Sequence, residues 1–379
     1  MIYADNAATT KISDSVFEKM LPFLRDEYGN ASSQYSLGTS SKRAIENARK
    51  QVAIAIGATP TEITFTSGGS EANSWVLRNV VDAYRSRPIH IITSAIEHHS
   101  VLNACRALEK EGVEITYLST NSRGRISLVD VESAIKPNTK LVSIMYANNE
   151  IGTLQPVSEI GFVLKDKDIL FHTDAVQAVG HIPVDVVDLN VDFLTASAHK
   201  FNGAKGTGIL FKRSGIVLSP MVWGGEQEKS LRAGTENVAG IVSAGYALEE
   251  SVALMPDEIK RLMSMVALTI SGLKEKVPSV RINGDRNNCL PGTVNLAFDE
   301  ISGESLMHLL DLKGICISTS SACTSGNDEP SHVLLALGQT EQQAKSAIRI
   351  SYGINNCESE VAEIVDAIYT SYKKIVDAS

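Results

Sequence analysis

Short apolar runs alternate with longer helical patterns along much of the chain, and this alternation limits the fold more than any other feature. Residues 63–65, 89–93, 113–118, 141–146, 169–172, 193–196 and 209–211 read as strands. Helical patterns at 70–84, 99–111 and 157–164 lie between several of them. Such a series predicts a mostly parallel α/β sheet with helical crossovers. In sheets of that kind, polar groups just past the strand C-termini are candidate site residues. Beyond residue 247 the texture changes. Helical patterns at 248–277, with a break expected at Pro256, and at 359–376 flank short strands near 280–282, 293–296 and 348–351. This reads as a smaller α+β domain.

Composition narrows the function classes. With 43% hydrophobic and 21% charged residues the 379-residue chain is neither disordered nor collagen-like nor a coiled coil. Its 35 Lys and Arg against 44 Asp and Glu give a formal charge of −9. That balance argues against direct DNA binding and against an anionic membrane surface. No uncharged run reaches the roughly 18 apolar residues of a membrane span, and Met1-Ile2-Tyr3-Ala4-Asp5 carries no signal-peptide pattern. The five cysteines (Cys105, Cys289, Cys316, Cys323 and Cys357) are few, odd in number and irregularly spaced, as expected of reduced thiols in the cytoplasm.

Several segments can carry chemistry. The run 193–196 ends in Ser197-Ala198-His199-Lys200 and then a glycine-containing turn. A lysine at a strand end is either a surface residue or an amine that condenses with a carbonyl. The run 169–172 continues into Thr173-Asp174-Ala175-Val176-Gln177, and Asp174 precedes Lys200 by 26 residues. That gap holds one crossover and the next strand, so both side chains can reach one sheet edge. An Asp at a strand end is otherwise a helix cap. A lysine that bonds the aldehyde, and a carboxylate that keeps the pyridine nitrogen protonated, are the two groups pyridoxal 5′-phosphate (PLP) requires. Thr66-Ser67-Gly68-Gly69-Ser70-Glu71-Ala72-Asn73 joins a strand to a helix, where free backbone N–H groups favour a phosphate. No GxxxxGK[ST], strand-following GxGxxG, HExxH or paired CxxC occurs, so P-loop, Rossmann and zinc sites lose support and no metal is expected. In Ile315-Cys316-Ile317-Ser318-Thr319-Ser320-Ser321-Ala322-Cys323-Thr324-Ser325 a β-like start gives way to small polar residues, so Cys323 reads as an exposed loop thiol able to act as a nucleophile. Cys105, Cys316 and Cys357 read as small apolar fillers, and Cys289 is left open.

Together these segments resemble the cysteine desulfurases, PLP enzymes of the class V aminotransferases with the type I fold. Asp5-Asn6-Ala7-Ala8-Thr9-Thr10, Gly29-Asn30-Ala31-Ser32-Ser33, Glu97-His98, Asn148-Asn149-Glu150-Ile151-Gly152, Asp174-Ala175-Val176-Gln177, Ser197-Ala198-His199-Lys200, Arg232-Ala233-Gly234-Thr235-Glu236-Asn237 and Ser321-Ala322-Cys323-Thr324-Ser325 occur in the family's order. The resemblance implies a large cofactor-binding domain over residues 13–255, and a small domain from 1–12 and 256–379 that carries the cysteine loop. It implies that Lys200 bonds the cofactor and moves the Cα proton, and that Asp174 pairs with the pyridine nitrogen. Gln177 would bond the ring hydroxyl, and His98 would stack on the ring and serve the substrate sulfur as acid or base. Gly69, Ser70, Ser197 and His199 would hold the phosphate, with Thr235 reaching it from a second subunit of a homodimer. Arg349 would grip the substrate carboxylate, and Asn149 would assist cofactor and substrate. Cys323 would take sulfur from L-cysteine as a persulfide, leaving L-alanine, and pass it to an acceptor protein, an iron–sulfur scaffold or a thiolation enzyme. Departures from the family pattern include Tyr35 for a His, Ala31 for a Pro, Ser70 for a Thr, Glu226 within a glycine run, and Gly353-Ile354-Asn355 for Gly-Arg-Phe.

Overall fold

The computed structural model describes residues 1–84, 87–319 and 329–378. Its strands are β1 (Ile2–Tyr3), β2 (Ile63–Thr66), β3 (His90–Ser94), β4 (Glu114–Leu118), β5 (Thr139–Ser143), β6 (Leu170–Asp174), β7 (Phe193–Ser197), β8 (Gly208–Lys212), β9 (Arg281–Asn283), β10 (Thr293–Ala297), β11 (Ile315–Cys316), β12 (Ser318–Thr319) and β13 (Ala347–Ser351). The helices are α1 (Asp14–Arg25), α2 (Ser36–Ala55), α3 (Gly69–Ala83), α4 (His99–Glu109), α5 (Leu128–Ala134), α6 (Val157–Leu164), α7 (Val238–Lys276), α8 (Gly303–Asp311), α9 (His332–Ala336), α10 (Glu341–Lys345) and α11 (Ser359–Val376).

A seven-stranded sheet in the order β2-β8-β7-β6-β5-β3-β4 forms the centre. All the pairings from β7 to β4 are parallel, while β8 runs antiparallel to both neighbours, so the sheet is mixed and mostly parallel. Successive side chains point to opposite faces, which divides each strand between two cores. Ile92, Val142, Phe171, Leu194 and Phe211 pack with α2, α6 and the first half of α7. Ile91, Leu141, Phe193 and Leu210 pack with α3 and α4 on the other side. A sheet covered on both faces needs apolar residues at consecutive positions, which is why these runs stand out in the sequence.

A separate four-stranded antiparallel sheet, β12-β13-β10-β9, gathers a third core with the second half of α7, α8 and α11. β1 pairs with β11, tying the N-terminus to this part of the molecule. One sequence expectation is corrected here. No break occurs at Pro256: α7 runs through it. The carbonyl four residues earlier loses its partner, but it belongs to exposed Val252, where water can replace the bond. By length and composition α7 is also apolar enough to cross a membrane, with 56% of its most apolar stretch buried in the protein. A helix shared by two cores acquires the composition of a membrane span for a different reason.

Buried polar residues cross-link the parallel strands. His172 on β6 reaches Ser143 Oγ on β5 through Nδ1 (2.8 Å) and Thr195 Oγ1 on β7 through Nε2 (3.1 Å). Burial pushes its pKa down from 6.5 to about 3. The unfolded chain therefore binds this proton more readily, so the His172 contribution is complete above pH 6.5 and is lost as pH falls toward 3. Burial lowers His199 and His332 to about 4, which acts in the same direction. Thermal melts across this window are expected to show Tm falling with pH, and His172→Asn to make the slope shallower. An unchanged slope in the variant would contradict the assignment.

Candidate active site

Parallel strands joined by crossovers bring strand C-termini and helix N-termini to one edge of the sheet. A cavity of about 330 Å³ lies there, lined by residues from the ends of β6 and β7, the starts of α3 and α4, β13 and the N-terminal segment. Its volume is in the range of small-molecule sites. Ten of the sequence-expected residues line it: Gly69, Ser70, His98, Asn149, Asp174, Gln177, Ser197, His199, Lys200 and Arg349.

Lys200 ends the tight turn that follows β7. Its Nζ donates to the carbonyls of Ala7 (2.6 Å) and Ala8 (2.8 Å). The Ala7 carbonyl also accepts from Gln177 Nε2 at 2.9 Å, so one backbone oxygen of the N-terminal segment joins two site residues. Asp174 is the last residue of β6 and is buried. Its Oδ1 accepts from the Val176 N–H (3.0 Å), and its Oδ2 accepts from Asn73 Nδ2 (2.7 Å). Asp174 is thus both a turn cap and a member of the cavity wall.

Asn73, on the second turn of α3, was not singled out in the sequence. Its amide donates to Asp174 and also to Ser100 Oγ (2.9 Å), while its Oδ1 is buried without a partner. Ser100 Oγ meets His98 Nδ1 at 2.8 Å, and the Ser100 N–H donates to the same nitrogen at 3.1 Å. A nitrogen that accepts a backbone N–H carries no proton, so these bonds assign the His98 proton to Nε2. Burial lowers the His98 pKa, and Lys200 and His99 act with it against the opposing pull of Asp174, which keeps the ring neutral. His98 is also the N-cap of α4. Next to it, Glu97 is fully buried, accepts from Ser94 Oγ and the Met145 N–H, and is pushed by burial up to about 8. It holds the loop that presents His98.

The first turn of α3, opened by Gly68, has no side-chain cap. A Cβ on Gly69 would lie 2.7 Å from Val176 Cγ2, so glycine allows the helix to approach the Asp174 turn closely. His199 Nδ1 is 3.1 Å from Thr9 Oγ1, and burial, then Lys200 and Lys205, push its pKa down to about 4. Arg349 on β13 is buried. Its Nη1 donates to the Asn149 carbonyl at 2.8 Å.

Some expected residues lie elsewhere. Thr235 lines a separate cavity of about 80 Å³ with Thr66, Ser67 and Arg232, not the Lys200 cavity of its own chain. Tyr35 is an exposed residue at the N-cap of α2. Cys323 lies outside the described residues. Cys105 is buried and pushed up to about 12, as a filler should be, and Cys316 and Cys289 are half-buried. Cys357 corrects the sequence reading: it is exposed, because it falls in the turn before α11 where its sulfur meets Ser359 Oγ rather than a core.

Residues 2–364 match the family model described as aminotransferase class-V. The chain is 45% identical over 378 residues to the cysteine desulfurase IscS of Methanosarcina thermophila, covering 100% of this chain and 93% of that one. Among solved structures, a NifS-like protein matches with TM-score 0.93 and 38% identity, covering 98% of this chain and 99% of the other. SspA in complex with cysteine matches with TM-score 0.81 and 37% identity, covering 93% and 98%. The chain accordingly belongs to the class-V aminotransferase family and, within it, to the cysteine desulfurases.

Proposed function

We propose that the chain takes sulfur from L-cysteine, releases L-alanine, and carries the sulfur as a persulfide on Cys323. The observation that carries this reading is a single cavity in which Lys200 and Asp174, from the ends of adjacent strands, share walls with His98 and Arg349. The enzyme uses PLP, and the residues present fit it. Lys200 supplies the amine, Asp174 the carboxylate, and the uncapped first turn of α3 with Ser197 and neutral His199 supplies donors for a phosphate. When bound, the cofactor supplies an electron sink for negative charge at the substrate Cα.

The chain's own residues do the rest. Lys200 holds the cofactor and then moves the Cα proton. Asp174, fixed by Asn73, would hold a proton on the pyridine nitrogen, and Gln177 would bond the ring hydroxyl. Arg349 binds the substrate carboxylate through its fork, with Asn149 beside it. His98 would lie against the cofactor, and its Nε2 proton would serve the substrate sulfur. The Cys323 thiolate attacks that sulfur: an S–S bond forms, the substrate C–S bond breaks, and its electron pair passes to Cβ, which is protonated on the way to alanine.

Thr235 completes the phosphate site of a second copy in a homodimer. The exposed Val217, Met221, Val222 and Trp223 support this, since Val222 pairs with Arg232 beside Thr235. The large domain spans 13–255 and the small one 1–12 and 256–379. The sulfur goes to an acceptor protein, an iron–sulfur scaffold or a thiolation enzyme, and free thiols suit a reducing cytoplasm.

Two experiments follow. Holoenzyme given L-cysteine and a reductant should form equal alanine and sulfide, and Cys323→Ser should lose this activity by about a thousandfold or more. A 2-oxo acid product, or protein persulfide at the wild-type rate in the variant, would contradict the reading. Asn73→Ala removes a hydrogen bond to a carboxylate worth about 1.5–3 kcal/mol. It should weaken cofactor retention by about tenfold or more in dialysis followed by absorbance; unchanged retention would dismiss Asn73 as a positioning residue.

A further inference from the structure

Arg349 already has a negative partner. Its Nη2 donates to Asp5 Oδ1 at 2.6 Å, with the two side chains 5% and 15% exposed. The other oxygen of Asp5 accepts from Ser318 Oγ at 2.8 Å. Arg349 Nε is buried and has no partner. The three side chains come from adjoining backbone, because Ser318 faces Arg349 in the β12–β13 pairing and Asp5 bridges to Ser351. The segment that carries Asp5 is itself held, since Ala7 N–H donates to Ser351 Oγ and the Ala7 and Ala8 carbonyls accept from Lys200. Asp5 is therefore held in place behind Arg349, which lines the cavity.

A buried guanidinium needs a compensating charge, and Asp5 provides it. An arriving carboxylate meets a cation that is already paired, and its own charge is repelled by the carboxylate in place. We infer that Asp5 is a specificity-determining residue, an internal counter-ion that lowers the affinity of Arg349 for the substrate carboxylate. This rests on the reading of Arg349 as the carboxylate site. A weakened grip favours release, because substrate and product carry the same carboxylate. If Asp5 only oriented the fork, an asparagine of equal shape, with an acceptor in the same place, would leave carboxylate affinity unchanged or reduce it.

Calorimetric titration of holoenzyme with L-alanine and with L-alaninamide, which lacks the carboxylate, separates these roles. Wild-type enzyme should prefer L-alanine; no preference would overturn the Arg349 reading, and the inference with it, before any variant is made. Asp5→Asn should lower the Kd for L-alanine by about tenfold and leave that for L-alaninamide within about twofold. Unchanged or weaker L-alanine binding, or parallel tightening of both ligands, overturns the inference. Ser318→Ala provides the second test, and decides alone if Asp5→Asn fails to fold or to keep its cofactor. Without the serine donor, Asp5 has Arg349 as its main partner, so L-alanine should bind about two- to threefold more weakly. Unchanged or tighter binding overturns the inference.

Discussion

The parallel pairing of β6 with β7 decides where chemistry can occur in this molecule. Asp174 faces Thr195 in that register, and Lys200 follows at the end of the turn after β7. A carboxylate and an amine far apart in the chain are thereby fixed at one sheet edge without any contact between their own side chains being needed. The same geometry brings the starts of α3 and α4 to that edge, because a crossover between parallel strands must return its helix in the opposite direction. Gly69 and Ser70 open one helix and His98 caps the other. The uncapped start of α3 and the His98 imidazole are thus placed by the topology that also sets the Lys200–Asp174 pair.

A second layer of organisation comes from the N-terminal segment. It runs from β1, paired with β11, across the cavity to Thr9 and Thr10, which bond to His199. Along the way Asp5 holds Arg349, and the Ala7 carbonyl joins Lys200 to Gln177. Arg349 and Lys200 are therefore attached to one short piece of chain. Behind the cavity wall, the Asp174–Asn73–Ser100–His98 chain of hydrogen bonds sets the orientation of the carboxylate and the tautomer of the imidazole together.

Much of this was legible in the sequence, for physical reasons. Strands buried on both faces cannot alternate with polar residues, so the runs containing Ile91-Ile92 and Leu141-Val142 stand out. The Lys200–Asp174 spacing was informative because a crossover has a narrow range of lengths. What was hidden depends on contacts between distant residues or on backbone atoms. Asn73 meets Asp174 across 101 positions and Asp5 meets Arg349 across 344. The Ala7 and Ala8 carbonyls act through atoms that every residue possesses. The carboxylate role of Arg349 came from the family resemblance alone, because nothing in the spacing of β13 reveals that this residue is buried. The Pro256 expectation failed because a proline penalty of about 3 kcal/mol is small beside the burial of a helix that serves two cores. Cys357 misled because a single thiol carries no periodicity to reveal whether it faces inward.

The central claim is that Lys200 is the amine that bonds the cofactor. Borohydride reduction of the holoenzyme, followed by proteolysis and mass mapping of the pyridoxyl group, tests it most directly. The account predicts the label on the peptide containing Lys200 and on no other. A label on a different lysine, or none after reduction of a yellow holoenzyme, would contradict it.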